Sequence, residues 1–133
     1  ASSCKDEDDK NPSKTELITA KSWKVTANTI NGVSDFSTWE ACEKDDFFKF
    51  NTDGKVTFDE GATKCDAGDP QTTIGVWLFL SNETDIRITT PGIDGIDAVF
   101  TIEELTASTL KISFTDSPSA GVTEKTVTTF TAF

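Results

Sequence analysis

The chain is 133 residues long, which supports one domain with a real core, and its formal net charge of −11 has the wrong sign for nucleic-acid phosphates or anionic lipid. It contains no His, which removes Ser-His-Asp and Cys-His catalysis and most zinc sites. Hydrophobic residues make up 35% and are rich in Phe, Val and Ile, the usage of a half-buried pleated sheet; no apolar run approaches the ~18 residues of a membrane-spanning helix.

The chain opens Ala1-Ser2-Ser3-Cys4-Lys5-Asp6-Glu7-Asp8-Asp9-Lys10. Small residues directly before Cys4 resemble the end of a bacterial lipobox, where a signal peptide is removed and the cysteine takes lipid. The acidic run after it resembles the signal that sends Bacteroidetes lipoproteins to the outer face of the outer membrane. That resemblance implies a cell-surface lipoprotein anchored through Cys4, whose lipidated form would start at Cys4. Residues 1–14 are therefore expected to be a lipobox remnant and a disordered acidic tether, because an apolar-free acidic run cannot offset its ordering entropy by burial. Residues 15–133 are expected to form the folded domain.

Within the domain, residues 15–19 read as one helical turn leading in. Strands follow at short intervals, separated by turn signals. The first covers residues 23–30, with Trp23, Val25 and Ala27 on one face, and ends at Asn31-Gly32. Residues 47–51 and 55–59 form the next two strands around Thr52-Asp53-Gly54, a tight hairpin turn. A polar loop carrying Cys65 leads to a fourth strand over residues 72–80. The fifth covers residues 85–89, the sixth 96–105 and the seventh 109–115. Ser117 to Gly121 reads as a turn, and residues 122–133 form the last strand. Eight strands in hairpin order with short connections favour an all-β, up-and-down antiparallel barrel over a sandwich.

The cysteine count is odd, at three. In an exported chain that pattern means one bridge and one cysteine with another job, so Cys42 and Cys65 are expected to form a disulfide; two buried free thiols are the alternative. The carboxylate pairs Asp45-Asp46, Asp59-Glu60 and Glu103-Glu104 read as solvated charge, since neighbours on a strand face opposite ways. Asn51-Thr52-Asp53-Gly54 and Asp94-Gly95-Ile96-Asp97 resemble calcium loops without a full ligand ladder. No metal, cofactor or catalytic residue is expected.

Alternation directs Trp23, Phe48, Phe50, Phe58, Trp77, Phe79, Phe100 and Phe114 into the barrel. Such rings either fill a small interior or line an apolar pocket. Val76, Leu78 and Leu80 would then face outward, either covered by the segment around Leu17 and Ile18 or left as a contact surface.

The motifs Ala20-Lys21-Ser22-Trp23-Lys24-Val25, Cys42-Glu43-Lys44-Asp45-Asp46-Phe47-Phe48-Lys49-Phe50 and Asn51-Thr52-Asp53-Gly54-Lys55-Val56-Thr57 occur in that order. Cys65, Gly75-Val76-Trp77-Leu78-Phe79 and Leu105-Thr106-Ala107-Ser108-Thr109-Leu110-Lys111-Ile112 follow. Together they resemble the lipocalin-like domain of Bacteroidetes surface lipoproteins, a short, disulfide-bearing relative of lipocalins. Trp23 stands where lipocalins carry the Trp of a first-strand Gly-x-Trp, with Lys21 in the place of the Gly. The resemblance implies a lipocalin-like barrel and fixes no common ligand. The expected function is non-catalytic binding of a small hydrophobic ligand by a monomer that takes no nucleic acid. The alternative is a packed barrel whose loops meet a protein or glycan.

Overall fold

The computed structural model describes residues 12–68, 70–91 and 97–133. Cys4 and the acidic run after it lie outside the described residues, as do Asp94, Gly95 and Ile96 of the second calcium-like loop.

Eight antiparallel strands close into a barrel: β1 (Ser22–Ile30), β3 (Phe47–Phe50), β4 (Lys55–Asp59), β5 (Thr72–Leu80), β6 (Asp85–Thr89), β7 (Asp97–Leu105), β8 (Thr109–Ser119) and β9 (Val122–Ala132). Each pairs with the next, and β9 returns to β1 with Trp23 opposite Ala132 and Ile30 opposite Thr126. Closure pairs every strand on both sides and removes the open edges that invite association.

Asn31-Gly32 does more than end β1. Both residues take positive φ, 51° and 82°, and return the chain as a two-residue strand, β2 (Val33–Ser34), against the end of β1. The predicted turn at Ser117 to Gly121 is shorter than expected. β8 runs on to Ser119, and only Ala120 and Gly121 turn. Pro118 fits inside the strand because the register slips between Asp116 and Ser119, where its missing N–H breaks no ladder bond.

One end of the barrel is floored by α1 (Lys14–Ala20). The Ser13 hydroxyl accepts the Glu16 amide and the Glu16 carboxylate accepts the Ser13 amide, a reciprocal cap that fixes the helix start. Helix α1 thus begins one residue before the expected domain boundary. Ile18 is buried under the barrel, and its carbonyl accepts the Trp23 indole N–H at 2.8 Å. The Lys49 ammonium donates to the Thr19 carbonyl, and the Lys14 ammonium reaches the Glu83 carbonyl in the β5–β6 turn. The expectation that Leu17 and Ile18 cover the outward stripe is corrected. Ile18 is drawn under Trp23, and Val76 and Leu78 stand 51% and 46% exposed on the outer wall.

The core lies at the floor and up the inner wall: Trp23, Val25, Phe50, Val56, Trp77, Ile86, Ile88, Leu110, Ile112 and Phe130. Each occupies an inward position of its strand, so period-two alternation sets the buried face. Gly75 shares that face on β5, where a Cβ would lie 2.2 Å from the Thr89 carbonyl oxygen. Only a residue without a side chain lets β5 and β6 approach so closely there.

Candidate functional site

The end opposite α1 is the mouth. Residues 35–46 cross it as a strap rather than a strand. A 3₁₀ turn (Phe36–Thr38) is followed by a single turn of helix, α2 (Ala41–Lys44). Three sets of contacts fasten the strap. Asp35 accepts the Asn28 side-chain amide at 2.8 Å, and Asn28 in turn accepts the Thr128 hydroxyl at 2.7 Å, tying the strap's start to β1 and β9. Glu40 and Glu43 cap α2 reciprocally. The disulfide Cys42–Cys65 then joins α2 to the loop after β4, as expected from the cysteine count. Glu40 lies beside both sulfurs, but these are spent on each other and hold no metal.

Below the strap lies a partly enclosed cavity of about 260 Å³. Its walls are Val25 of β1, Phe48 and Phe50 of β3, Phe58 of β4, Ile86 and Ile88 of β6, Phe100 of β7, Leu110 and Ile112 of β8, and Phe130 of β9. Thr128 adds one hydroxyl, already donated to Asn28. The strap supplies Trp39, Glu43 and Asp46. Phe48 anchors one wall, packing against Phe50, Phe58 and Phe130 at 6.3, 5.0 and 5.9 Å between ring centroids.

The eight aromatic residues singled out in the sequence thus divide. Phe48, Phe50, Phe58 and Phe100 line the cavity. Trp23 and Trp77 are buried in the core, outside its lining, with Phe79 packed edge-on against Trp77. Trp77 donates its indole N–H to the Asn51 carbonyl. Phe114 is a correction: it has the inward parity, but β8 has by then reached the mouth, and the ring stands 42% exposed with one face edge-on to Phe100. Rings fill the floor and line a pocket above it, so both readings of the aromatic set apply to different parts of one barrel.

The carboxylate pairs also divide. Asp45 and Asp46 are not freely solvated: one oxygen of each is shut from solvent with no hydrogen-bond partner among the described residues. The other Asp45 oxygen accepts the Thr63 amide at 2.7 Å. Burial, and then the neighbouring charges of Glu60, Asp45, Glu43 and Asp59, push the Asp46 carboxyl up to about 7. Asp59 accepts the Gly61 amide and the Gln71 side chain, which shapes the loop over the mouth. Glu103 behaves in the opposite way. The Ser113 hydroxyl, and then Lys125, hold its carboxyl below the usual range on the outer wall. Asn51-Thr52-Asp53-Gly54 is a hairpin turn, with the Asp53 carboxylate accepting the Lys55 amide.

Sequence reasoning missed Trp39, Glu43 and Asp46, because a strap obeys no strand alternation. The pair of cysteines was the available signal. A bridge between residues 42 and 65 must hold the preceding segment against the loop that follows β4.

A sequence profile of a lipocalin-like domain matches residues 19–112. Among solved structures, a lipocalin-like protein from Bacteroides uniformis is similar to this chain, with 18% sequence identity and a TM-score of 0.58 over 86% of this chain and 98% of that one. No curated protein matches it.

Proposed function

Because the chain belongs to the lipocalin-like domain family, we propose that it is a non-catalytic binding protein whose barrel holds a small hydrophobic molecule beneath the strap. The cavity carries this reading. A packed barrel would leave no such space; here about 260 Å³ remains, walled by rings and branched aliphatic side chains. Removing a ligand's apolar surface from water there contributes about 25 cal/mol per Å². The strap, through Trp39, Glu43 and Asp46, shields one side of the cavity. The proposal includes a monomer attached at the outer face of the outer membrane through lipid on Cys4. In support stands the small-residue run before Cys4 and the acidic run after it.

Titration with a neutral lipophilic dye such as Nile red tests the cavity. The expected result is a saturable blue shift of the dye with a matching change in tryptophan emission, the latter lost in Trp39→Phe. Ile112→Phe, which fills the cavity, should weaken binding about tenfold, the scale of a few lost apolar contacts. Silence across several lipophilic dyes, neutral and cationic alike, would sink the ligand reading and favour a loop-mediated contact module. For the anchor, Cys4→Ala in the full precursor should move the protein out of the membrane fraction; unchanged partitioning contradicts it.

A further inference from the structure

We propose that the cavity selects an amphiphile with a cationic head, an alkyl or aryl ammonium compound whose tail lies among the phenylalanine rings and whose ammonium group meets Asp46 at the mouth. The proposal rests on the cavity being a ligand site and goes on to name the ligand's chemistry.

The cavity's polar lining is lopsided. Among the described residues, its polar side chains are Glu43, Asp46, Thr128 and the indole of Trp39, and none of them is cationic. Thr128 has its hydroxyl committed to Asn28, and Glu43 accepts the Glu40 amide through Oε1. Asp46 is different. Its side chain lines the cavity, while its Oδ1 is shut away from solvent and cavity alike with no partner among the described residues. An unpaired buried oxygen makes the carboxylate costly to hold there, and a cation in the cavity offsets that cost through its charge.

The charges around Asp46 decide which donor. Glu43 faces it from α2, Asp45 from the adjoining residue, Asp59 from the end of β4 and Glu60 from the loop beyond, all acids. A fatty-acid carboxylate would enter a field of its own sign. An alcohol would fit the walls but bring no charge to that field. An ammonium group neutralises it, forms charge-assisted hydrogen bonds, and gains further attraction over the faces of nearby rings such as Phe48 and Phe58.

Proton balance follows. With its carboxyl raised to about 7, Asp46 is partly protonated near neutrality. Binding leaves a carboxylate against an ammonium, and the carboxyl proton goes to solvent. Affinity for the ammonium compound therefore rises as pH climbs from about 6 to about 8.

Calorimetry of the whole chain with octylamine, octanol and octanoate, which share one tail length, tests the proposal. Octylammonium is expected to bind about tenfold more tightly than octanol at about pH 8, with octanoate weakest, in line with one charge-assisted hydrogen bond. The gap should narrow at about pH 6, and octylammonium binding should release protons. Asp46→Asn should shrink the gap; if that variant does not fold, the wild-type order and its pH dependence decide. Equal binding of octanol and octylammonium, or tighter octanoate, overturns the cationic preference and leaves the cavity reading standing. Binding by none of the three overturns both.

Discussion

Two side chains show how local chemistry shapes the barrel's two ends. Trp23 fills the floor with a ring and fastens α1 with its N–H. Trp23→Phe keeps most of the ring but strands the Ile18 carbonyl and leaves a small void. Urea unfolding should show a loss of about 1–3 kcal/mol. Asp46 at the mouth works against folding. Its carboxyl lies at about 7 in the folded chain and at its ordinary value of 3.8 when free of its neighbours. Between those values the folded chain holds a proton that the unfolded chain has lost, so the contribution of Asp46 to stability is greatest below about 4 and declines as pH rises towards 7. Asp46→Asn should flatten that decline and raise the neutral-pH unfolding free energy by about 1 kcal/mol, since solvent screens part of the effect. A variant with unchanged pH dependence would show that the carboxyl titrates normally. Trp23 was legible from alternation alone. Asp46 was not, because beside Asp45 in a polar stretch it reads as surface charge. Its burial comes from loops brought over it by a contact distant in sequence.

Among the elements, the strands were legible and the strap was not. Phe48 and Phe50 alternate with Lys49, and Leu110 and Ile112 with Lys111, so their faces could be read directly. Three differences had local causes: positive φ at Asn31-Gly32 added β2, a register slip let β8 pass Pro118, and the mouth arrived before Phe114. The strap has no periodicity, and its place depends on Cys42–Cys65, which closes a separation of 23 residues. Opening that loop in the unfolded chain should cost about 3 kcal/mol in the chain-entropy account. Cys42→Ser with Cys65→Ser should therefore lower the unfolding free energy by about that amount. Hydrogen exchange should speed up in residues 36–46 more than in β7–β9. Uniform exchange across the barrel would mean the strap is held by its other contacts.

For the molecule as a whole, closure was legible as eight strands in sequence, while the cavity depended on how far the rings reach. The last step of closure joins distant parts of the chain, with Val25 opposite Phe130. Contacts so far apart are costly to form early, so folding is expected to take milliseconds to seconds. A chain ending before Val122 removes β9, opens β1 and β8 along the sides that β9 pairs, and should lose its cooperative melting transition; a sharp transition in that truncation would show that seven strands suffice.

The floor has one more consequence. Helix α1 enters at the base, with Lys14 touching the turn after β5, while Trp39 and Asp46 sit at the far rim. The described chain therefore starts at the foot of the cup, so whatever is joined to that end departs from the side away from the opening and leaves the opening uncovered.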